Sequence, residues 1–566
     1  MTTYDPPRPW IASYEPGVPE DLTPVTGSLV EIVESSAKEY PDAPALQFFG
    51  RETTYRSLDE QIERAAAGLA KLGVRAGDRV AIVLPNCPQH IVAFYAILRL
   101  GAVVIEHNPL YTPRELRKQY EDHGAKHSIV WTKVVDTVQK FPSDLKQSAI
   151  ISVDITKAMP LGTRLALKLP IRKAREAREA LHAPVHGTVP WETLLSHERL
   201  PATHPRPATD DLALIQYTSG TTGTPKGASL THRNLVSNAA QARAWVPQIK
   251  KGEGCVVYAV LPMFHAYGLT LCLAFAMSMG ARLVLFPRFD PDMVLDAIKK
   301  HPPTFLPAVP PIADRLLKRA REKGVSLEGI DVAISGAMAL PHELVVPFEA
   351  ASGGYLVEGY GLSECSPVLM ANPVGDNRVP GTVGLPLPGT ECRVVDPDEP
   401  TRDVAPGEPG ELIVRGPQVF SGYYGKPEET EAVFVGDWFR TGDIVEIDEK
   451  GFVRIVDRIK ELIITGGFNV APTEVESALR QHPAVDDAAV VGLPSSKSGE
   501  EVVAAVVLDE SVDDVDVDAI REFVRGILTP YKVPRRVFVV DELPKSLIGK
   551  VLRRQVREKL LDLTKS

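Results

Sequence analysis

Leu58 to Ile105 reads LDEQIERAAAGLAKLGVRAGDRVAIVLPNCPQHIVAFYAILRLGAVVI. Apolar residues recur at helical spacing from Leu58 to Leu72 and stop at Gly73. Arg79 to Leu84 is a short apolar run of strand length, Gln89 to Leu100 is a second helix stopped by Gly101, and Val103 to Ile105 is another strand. Helix and strand alternating at this pitch predict a mainly parallel sheet covered by helices. The pattern changes between Gly381 and Gly451, where short β-like runs (Cys392 to Val395, Glu411 to Val414, Asp443 to Ile447) are broken by Gly and Pro. Beyond the charged stretch Asp457-Arg458-Ile459-Lys460-Glu461, strands near Ala488 to Val491 and Val502 to Leu508 indicate a small α+β domain. The expected fold class is therefore α/β. A large N-terminal domain of helix-covered sheets (1–459) carries a β-rich subdomain at about 381–455, and a small C-terminal domain (460–566) follows.

The whole chain bounds this reading. Its 566 residues exceed what one core organises, so two or more domains are required. A net charge of −10 argues against general nucleic-acid binding, which needs a basic excess. Five scattered cysteines without a C-x-x-C indicate neither a zinc site nor a disulfide framework and fit a reducing cytoplasm. The N-terminus has no basic-then-apolar signal pattern, and the most apolar stretch, Gly268 to Gly280, is short of the roughly 20 residues that span a bilayer. It is expected to be a core helix. The segment Arg164 to Arg178 carries six Lys or Arg and one Glu among Leu165, Leu167, Leu169 and Ile171. It suits either an anionic membrane surface, which would make the protein peripheral at the inner face, or a solvated helix broken at Pro170.

The chemistry concentrates in Tyr217-Thr218-Ser219-Gly220-Thr221-Thr222-Gly223-Thr224-Pro225-Lys226-Gly227, which follows the apolar strand Leu212 to Ile215. Backbone N–H groups and hydroxyls on such a loop can surround a polyphosphate, with Lys226 adding charge. It does not meet the Walker pattern, since Lys226 is followed by Gly227. Four further strings accompany it. Val357-Glu358-Gly359-Tyr360-Gly361-Leu362-Ser363-Glu364 offers an aromatic face, a hydroxyl and a carboxylate. Trp438-Phe439-Arg440-Thr441-Gly442-Asp443 sets an acid after a turn, and Asp457-Arg458-Ile459-Lys460 places charges at the domain boundary. Leu543-Pro544-Lys545-Ser546-Leu547-Ile548-Gly549-Lys550 presents two lysines on a loop.

Together and in this order the strings resemble the adenylate-forming superfamily of acyl-CoA synthetases, firefly-type luciferases and peptide-synthetase adenylation domains, over about Ser28 to Lys559. The resemblance implies a two-step ligase using ATP, Mg²⁺ and CoA. It places ATP phosphates at Thr218, Ser219, Gly220, Thr221, Thr222, Gly223 and Lys226, and Mg²⁺ at Thr218 and Glu364. Gly336, Ala337, Glu358, Gly359, Tyr360, Ser363, Asp443 and Arg458 fall to the adenine and ribose. Lys550 would bridge carboxylate and α-phosphate, Lys460 would be the hinge of a mobile C-terminal domain, and Gly466 and Gly467 would border the CoA tunnel. Ser363 and Ser546 stand where relatives commonly carry Thr, and Met338-Ala339 where they carry Ala-Pro.

For the acid, Phe264-His265 falls at the acyl-pocket entrance, and His265 stands where amino-acid-activating members carry Asp. This implies an uncharged acyl chain. The string Asn108-Pro109-Leu110-Tyr111-Thr112-Pro113-Arg114-Glu115-Leu116 resembles bacterial long-chain fatty-acid–CoA ligases. The implied partners are a fatty acid, ATP and CoA, with medium-chain or aryl carboxylates, or a fatty acyl-AMP ligase, as the alternatives. Ile464 stands where luciferase-like members use Lys, which counts against that class. The oligomeric state is left open between monomer and homodimer.

Overall fold

The computed structural model describes residues 8–218, 225–465, 468–495, 499–509, 512, 516–546 and 549–564. They fall into two compact units. One comprises Ser13–Glu391 with Arg415–Phe434, and the other Met1–Ala12, Cys392–Val414 and Val435–Ser566.

In the larger unit the helix Pro88–Arg99 is buried at every position from Gln89 onward. A helix without a polar face needs walls all round, and this one packs against strands of two different sheets as well as against the helix Tyr55–Lys71. The first sheet runs, in spatial order, Val189–Pro190, Ala149–Val153, His127–Trp131, Arg79–Val83, Val103–Glu106, Leu212–Thr218, Lys226–Thr231. Its pairings are parallel except the last, an antiparallel hairpin. The second sheet has nine strands. Tyr355–Gly361, Val332–Ser335, Phe305–Ala308, Val256–Ala259, Arg282–Leu285 and Pro44–Phe48 form its parallel centre, with antiparallel strands added at either end.

The expected αβαβ order is present. The first helix starts at Tyr55 rather than Leu58, because Thr54 caps it by accepting from Ser57 N–H at 3.2 Å. Gly268 to Gly280 is the expected core helix, buried from Ala266 to Met277, with one wide π turn at Leu269–Ala274. Gly280 at φ +61° ends it. The segment Arg164 to Arg178 falls on two short helices, Leu161–Ala166 and Arg172–Leu181, separated around Pro170.

In the smaller unit the three expected β runs lie within Glu391–Val395, Gly410–Arg415 and Trp438–Ile447, strands of a five-stranded sheet that also includes Val453–Arg458. A second five-stranded sheet is centred on the antiparallel pair Val485–Ser495 and Gly499–Leu508. Successive residues there face opposite sides. Ala488, Val490, Val502 and Ala504 pack beneath the helices Pro472–Leu479 and Val517–Arg525. Ala489, Val491, Val503 and Ala505 pack beneath Arg553–Leu563. This sheet is covered on both faces, which explains its near-continuous apolar sequence.

Gly68 tests the helix packing of the larger unit. A Cβ there would come 2.7 Å from Leu194 Cα. Alanine improves helix propensity by about 1 kcal/mol, but overpacking costs about 1–3 kcal/mol. Gly68→Ala should therefore lower the denaturant midpoint of the larger unit. A raised midpoint would show that the helix Tyr55–Lys71 does not approach the helix Trp191–Leu195 this closely.

Candidate active site

The hairpin around the expected phosphate loop is built from its flanks. Leu212–Thr218 and Lys226–Thr231 pair with Thr218 opposite Lys226 and Tyr217 opposite Gly227. Gly227 admits no side chain, since a Cβ would lie 2.5 Å from Ile215 Cγ2. Residues 219–224, and with them Ser219, Gly220, Thr221, Thr222 and Gly223, lie outside the described residues.

Beneath the hairpin, Tyr217 OH donates to Asp122 at 2.7 Å. The Tyr217 ring stacks on His107 with centroids 6.2 Å apart. His107 meets Gln119 at 2.6 Å and His123 at 3.1 Å. Burial pushes the His107 imidazole down to about 4, so this ring is uncharged at neutral pH.

Lys226 Nζ sits 5.0 Å from the centroid of the Tyr423 ring, a cation–π arrangement. Tyr423 OH in turn donates to Glu364 Oε1 at 2.8 Å. Burial and the Glu364 charge both push the phenol upward, keeping it a donor. The Ser363–Cys365 turn packs against both strands of the hairpin, so Thr218, Lys226 and Glu364 share one locality. The sequence reading missed Tyr423, which lies 59 residues from its carboxylate partner.

Gly336, Ala337, Glu358, Gly359 and Tyr360, expected at the adenine, fall at the ends of two paired strands of the nine-stranded sheet. Tyr355–Gly361 runs parallel to Val332–Ser335, with Ser335 opposite Glu358. The chain then turns through Gly336 and through Ala337 at φ +66°, a left-handed conformation uncommon for alanine. Burial raises the Glu358 carboxyl to about 8, against a backbone N–H donated by Leu340. At neutral pH it is mostly protonated and can donate. Tyr360 is buried, and Ser363 starts the turn that carries Glu364.

His265 caps the core helix, its Nδ1 accepting from Tyr267 N–H at 3.3 Å. Tyr267 OH lies 3.0 Å from Ala308 O and 2.7 Å from Ile334 O, its one proton shared between the two carbonyls, and a Cβ on Gly336 would lie 3.1 Å from the Tyr267 ring. One buried phenol thus ties the Phe264-His265 segment to Gly336-Ala337. The available signal was a tyrosine inside an apolar helix, where the hydroxyl must find an acceptor.

In the smaller unit, Asp443 and Arg458 are opposite on paired strands and form an ion pair of 2.8 Å. Asp457 caps two backbone N–H groups, of Arg458 at 2.7 Å and Thr473 at 3.1 Å, and burial lifts it to about 6. Lys550 lies on a loop closed by Ser546, whose Oγ accepts from Lys550 N–H at 3.1 Å and whose N–H donates to Lys550 O at 2.7 Å. Burial, then the Arg458 charge, push its ammonium down to about 8, while Glu461 and Asp443 oppose this. Arg553 holds Glu476 through two bonds of 2.9 and 2.7 Å and also pairs with Glu461. Lys460 lies in the short turn Ile459–Glu461, its side chain outside the described residues, as are Gly466 and Gly467. Asp443, Arg458 and Lys550 are therefore one electrostatic group. Among the described residues no cluster of three or more His, Cys, Asp or Glu could hold a metal ion alone.

Against known proteins, the AMP-binding enzyme family matches residues 33–424, and the AMP-binding enzyme C-terminal domain matches 474–550. A long-chain-fatty-acid–CoA ligase of Bacillus subtilis (strain 168) is 39% identical over 556 residues, covering 97% of this chain and 98% of that protein. The ligase of the same name from Salmonella typhimurium is 38% identical over 97% of this chain and 98% of its own length. Among solved structures, ATP-bound MatB from Rhodopseudomonas palustris superposes with a TM-score of 0.82 at 30% identity, over 95% of this chain and all (100%) of that one.

Tyr423→Phe isolates one link in the site. Losing a hydrogen bond to a charged group costs about 1.5–3 kcal/mol. Acid-dependent ATP–pyrophosphate exchange should fall roughly 10- to 100-fold by the same measure, with the melting temperature little changed. Unaltered exchange would remove Tyr423 from the machinery.

Proposed function

The chain belongs to the AMP-binding enzyme family, and on that premise we propose that it is an AMP-forming fatty-acid–CoA ligase. The observation that carries this reading is the linkage of Lys226, Tyr423 and Glu364 at the Thr218–Lys226 hairpin of the larger unit; within the smaller unit, the Lys550 ammonium feels the charges of the Asp443–Arg458 ion pair. A carboxylate oxygen of the fatty acid attacks the α-phosphorus of ATP, the bond to pyrophosphate breaks, and acyl-AMP forms. The sulfur of CoA then attacks the acyl carbon and AMP leaves. A long chain is the preferred substrate, in keeping with the relatives' names.

The residue roles follow from chemistry. Thr218 and Lys226 hold the ATP phosphates with residues 219–223, and Tyr360 stacks on the adenine. Asp443 accepts from the ribose hydroxyls, held in place by Arg458. The hydroxyl of Thr218 and the carboxylate of Glu364 are the hard oxygen donors that Mg²⁺ takes beside phosphate, and the ion would neutralise phosphate charge there. His265 faces the acyl acid. Residues 1–459 perform adenylation, and 460–566 swing about Lys460 so that Lys550 serves the first step and Gly466-Gly467 admit CoA for the second.

Lys550 tests the reading. Losing a preorganised charge at a developing transition state costs about 10²–10³ in rate. Lys550→Ala should lose acyl-AMP formation by that factor while still converting supplied acyl-AMP and CoA to thioester. Equal loss in both steps would refute its role. The group acts only as a cation, so adenylation kcat/KM should decline as pH rises through about 8. Lys550→Arg should remove that decline, and its persistence in the arginine variant would assign it to another group.

No helix among the described residues is long and apolar enough to cross a membrane. The proposed setting is cytoplasmic, with weak peripheral contact at an anionic leaflet through 164–178. Leu161, Leu165, Leu169 and Ile171 are at least half exposed (67, 56, 50 and 55%) beside the basic side chains. Each Lys or Arg contributes up to about 1 kcal/mol at such a surface, screened by salt. The protein should sediment with anionic vesicles at low salt and not at high salt. A variant with Gln at Arg164, Lys168, Arg172, Lys173 and Arg175 should stay in solution, and identical behaviour of both would leave the segment a solvated surface.

A further inference from the structure

The segment Leu261–His265 hangs on two amides that reach across from the seven-stranded sheet. Asn86 Nδ2 donates to Ala259 O at 3.0 Å and Leu261 O at 2.8 Å, and its Oδ1 accepts from Met263 N–H at 2.9 Å. Gln216 Nε2 donates to Phe264 O at 3.0 Å. Asn86 is fully satisfied as an anchor, but Gln216 is not, because its Oε1 has no partner.

Beside Gln216 in parallel register stands Glu106, so the two side chains emerge on the same face of the sheet. Glu106 Oε1 meets His90 Nε2 at 2.9 Å, and both side chains are wholly buried. Glu106 Oε2 also has no partner. Two buried acceptors on register partners, each lacking a donor, are unfavourable unless a proton is supplied to them.

We propose that Glu106 and Gln216 are positioning residues for the acid-binding wall. In this arrangement His90 donates to Glu106 Oε1, Glu106 Oε2–H donates to Gln216 Oε1, and the amide is thereby turned so that its N–H holds the Phe264 carbonyl. The chain fixes the backbone that carries Phe264 and His265. Burial raises the Glu106 carboxyl, with His90 opposing, which favours the neutral acid that the chain requires. A glutamine at 106 would offer the same acceptor to His90 and the same donor to Gln216, so it serves as the conservative replacement. The proposal rests on the reading that Phe264-His265 borders the acyl acid.

The experiment measures KM for the acid and for ATP separately in ATP–pyrophosphate exchange, using whichever acid the wild type accepts best. Rejection of every fatty acid by the wild type would thus count against the substrate class and leave this chain still testable. Gln216→Met and Glu106→Leu should raise the acid KM about tenfold, as expected for loss of one buried hydrogen bond, while the ATP KM moves less than about twofold. Glu106→Gln should restore the acid KM to within about twofold of wild type, by the same hydrogen-bond accounting. Should Glu106→Leu fail to fold, Gln216→Met and Glu106→Gln still decide. The proposal is overturned if Glu106→Gln has a raised acid KM like that of the apolar variants, or if the two KM values rise together in Gln216→Met.

Discussion

The helix Pro88–Arg99 can exist only between two walls. Its side chains are buried on every face, including Arg99, which is neutralised by Glu63 at 2.7 Å. A single sheet covers one side of such a helix. A second must cover another, so two sheets, with Tyr55–Lys71 alongside, follow from the absence of a polar stripe. The residues at its start and just before it, His90 and Asn86, meet the last residues of strands from the two sheets, Glu106 of the first and Ala259 of the second. Polar groups there reach from one sheet to the other, and in α/β folds ligands gather at strand ends.

Burial also sets the chemistry. It makes the His107 ring neutral beneath the hairpin of Leu212–Thr218 and Lys226–Thr231, keeps the Tyr423 hydroxyl a donor to Glu364, and leaves Glu358 mostly protonated at neutral pH. In the smaller unit it brings the Lys550 ammonium near physiological pH. A group so placed is a strong cation when anionic phosphate arrives and a weak one without it.

Much of this was legible in the sequence, and the reasons differ by residue. The helices and strands from Tyr55 to Glu106 announced themselves because their apolar periods are local. The positions of Thr218, Lys226, Tyr360, Glu364, Asp443 and Lys550 came from motif order; the turn that carries Glu364 packs against the strands of Thr218 and Lys226 in the larger unit, and the charge of Asp443 acts on Lys550 in the smaller. Tyr423, Tyr267, Gln216 and Asn86 were silent as functional residues. Each acts on a partner distant in sequence, 175 residues away for Asn86 and Leu261 and 48 for Gln216 and Phe264. Single-sequence spacing carries no record of such pairings. The early start of the first helix, at Tyr55, was hidden for a smaller reason: the cap residue Thr54 also ends a strand.

The central claim is that an acyl-adenylate forms before CoA is used. Its direct test is isotope exchange between pyrophosphate and ATP, followed in the absence of CoA with a long-chain fatty acid. The account predicts exchange that requires both the fatty acid and Mg²⁺, and then, on adding CoA, AMP and acyl-CoA in equal amounts. Exchange that appears only once CoA is present, or products of ADP and phosphate in place of AMP and pyrophosphate, would contradict it.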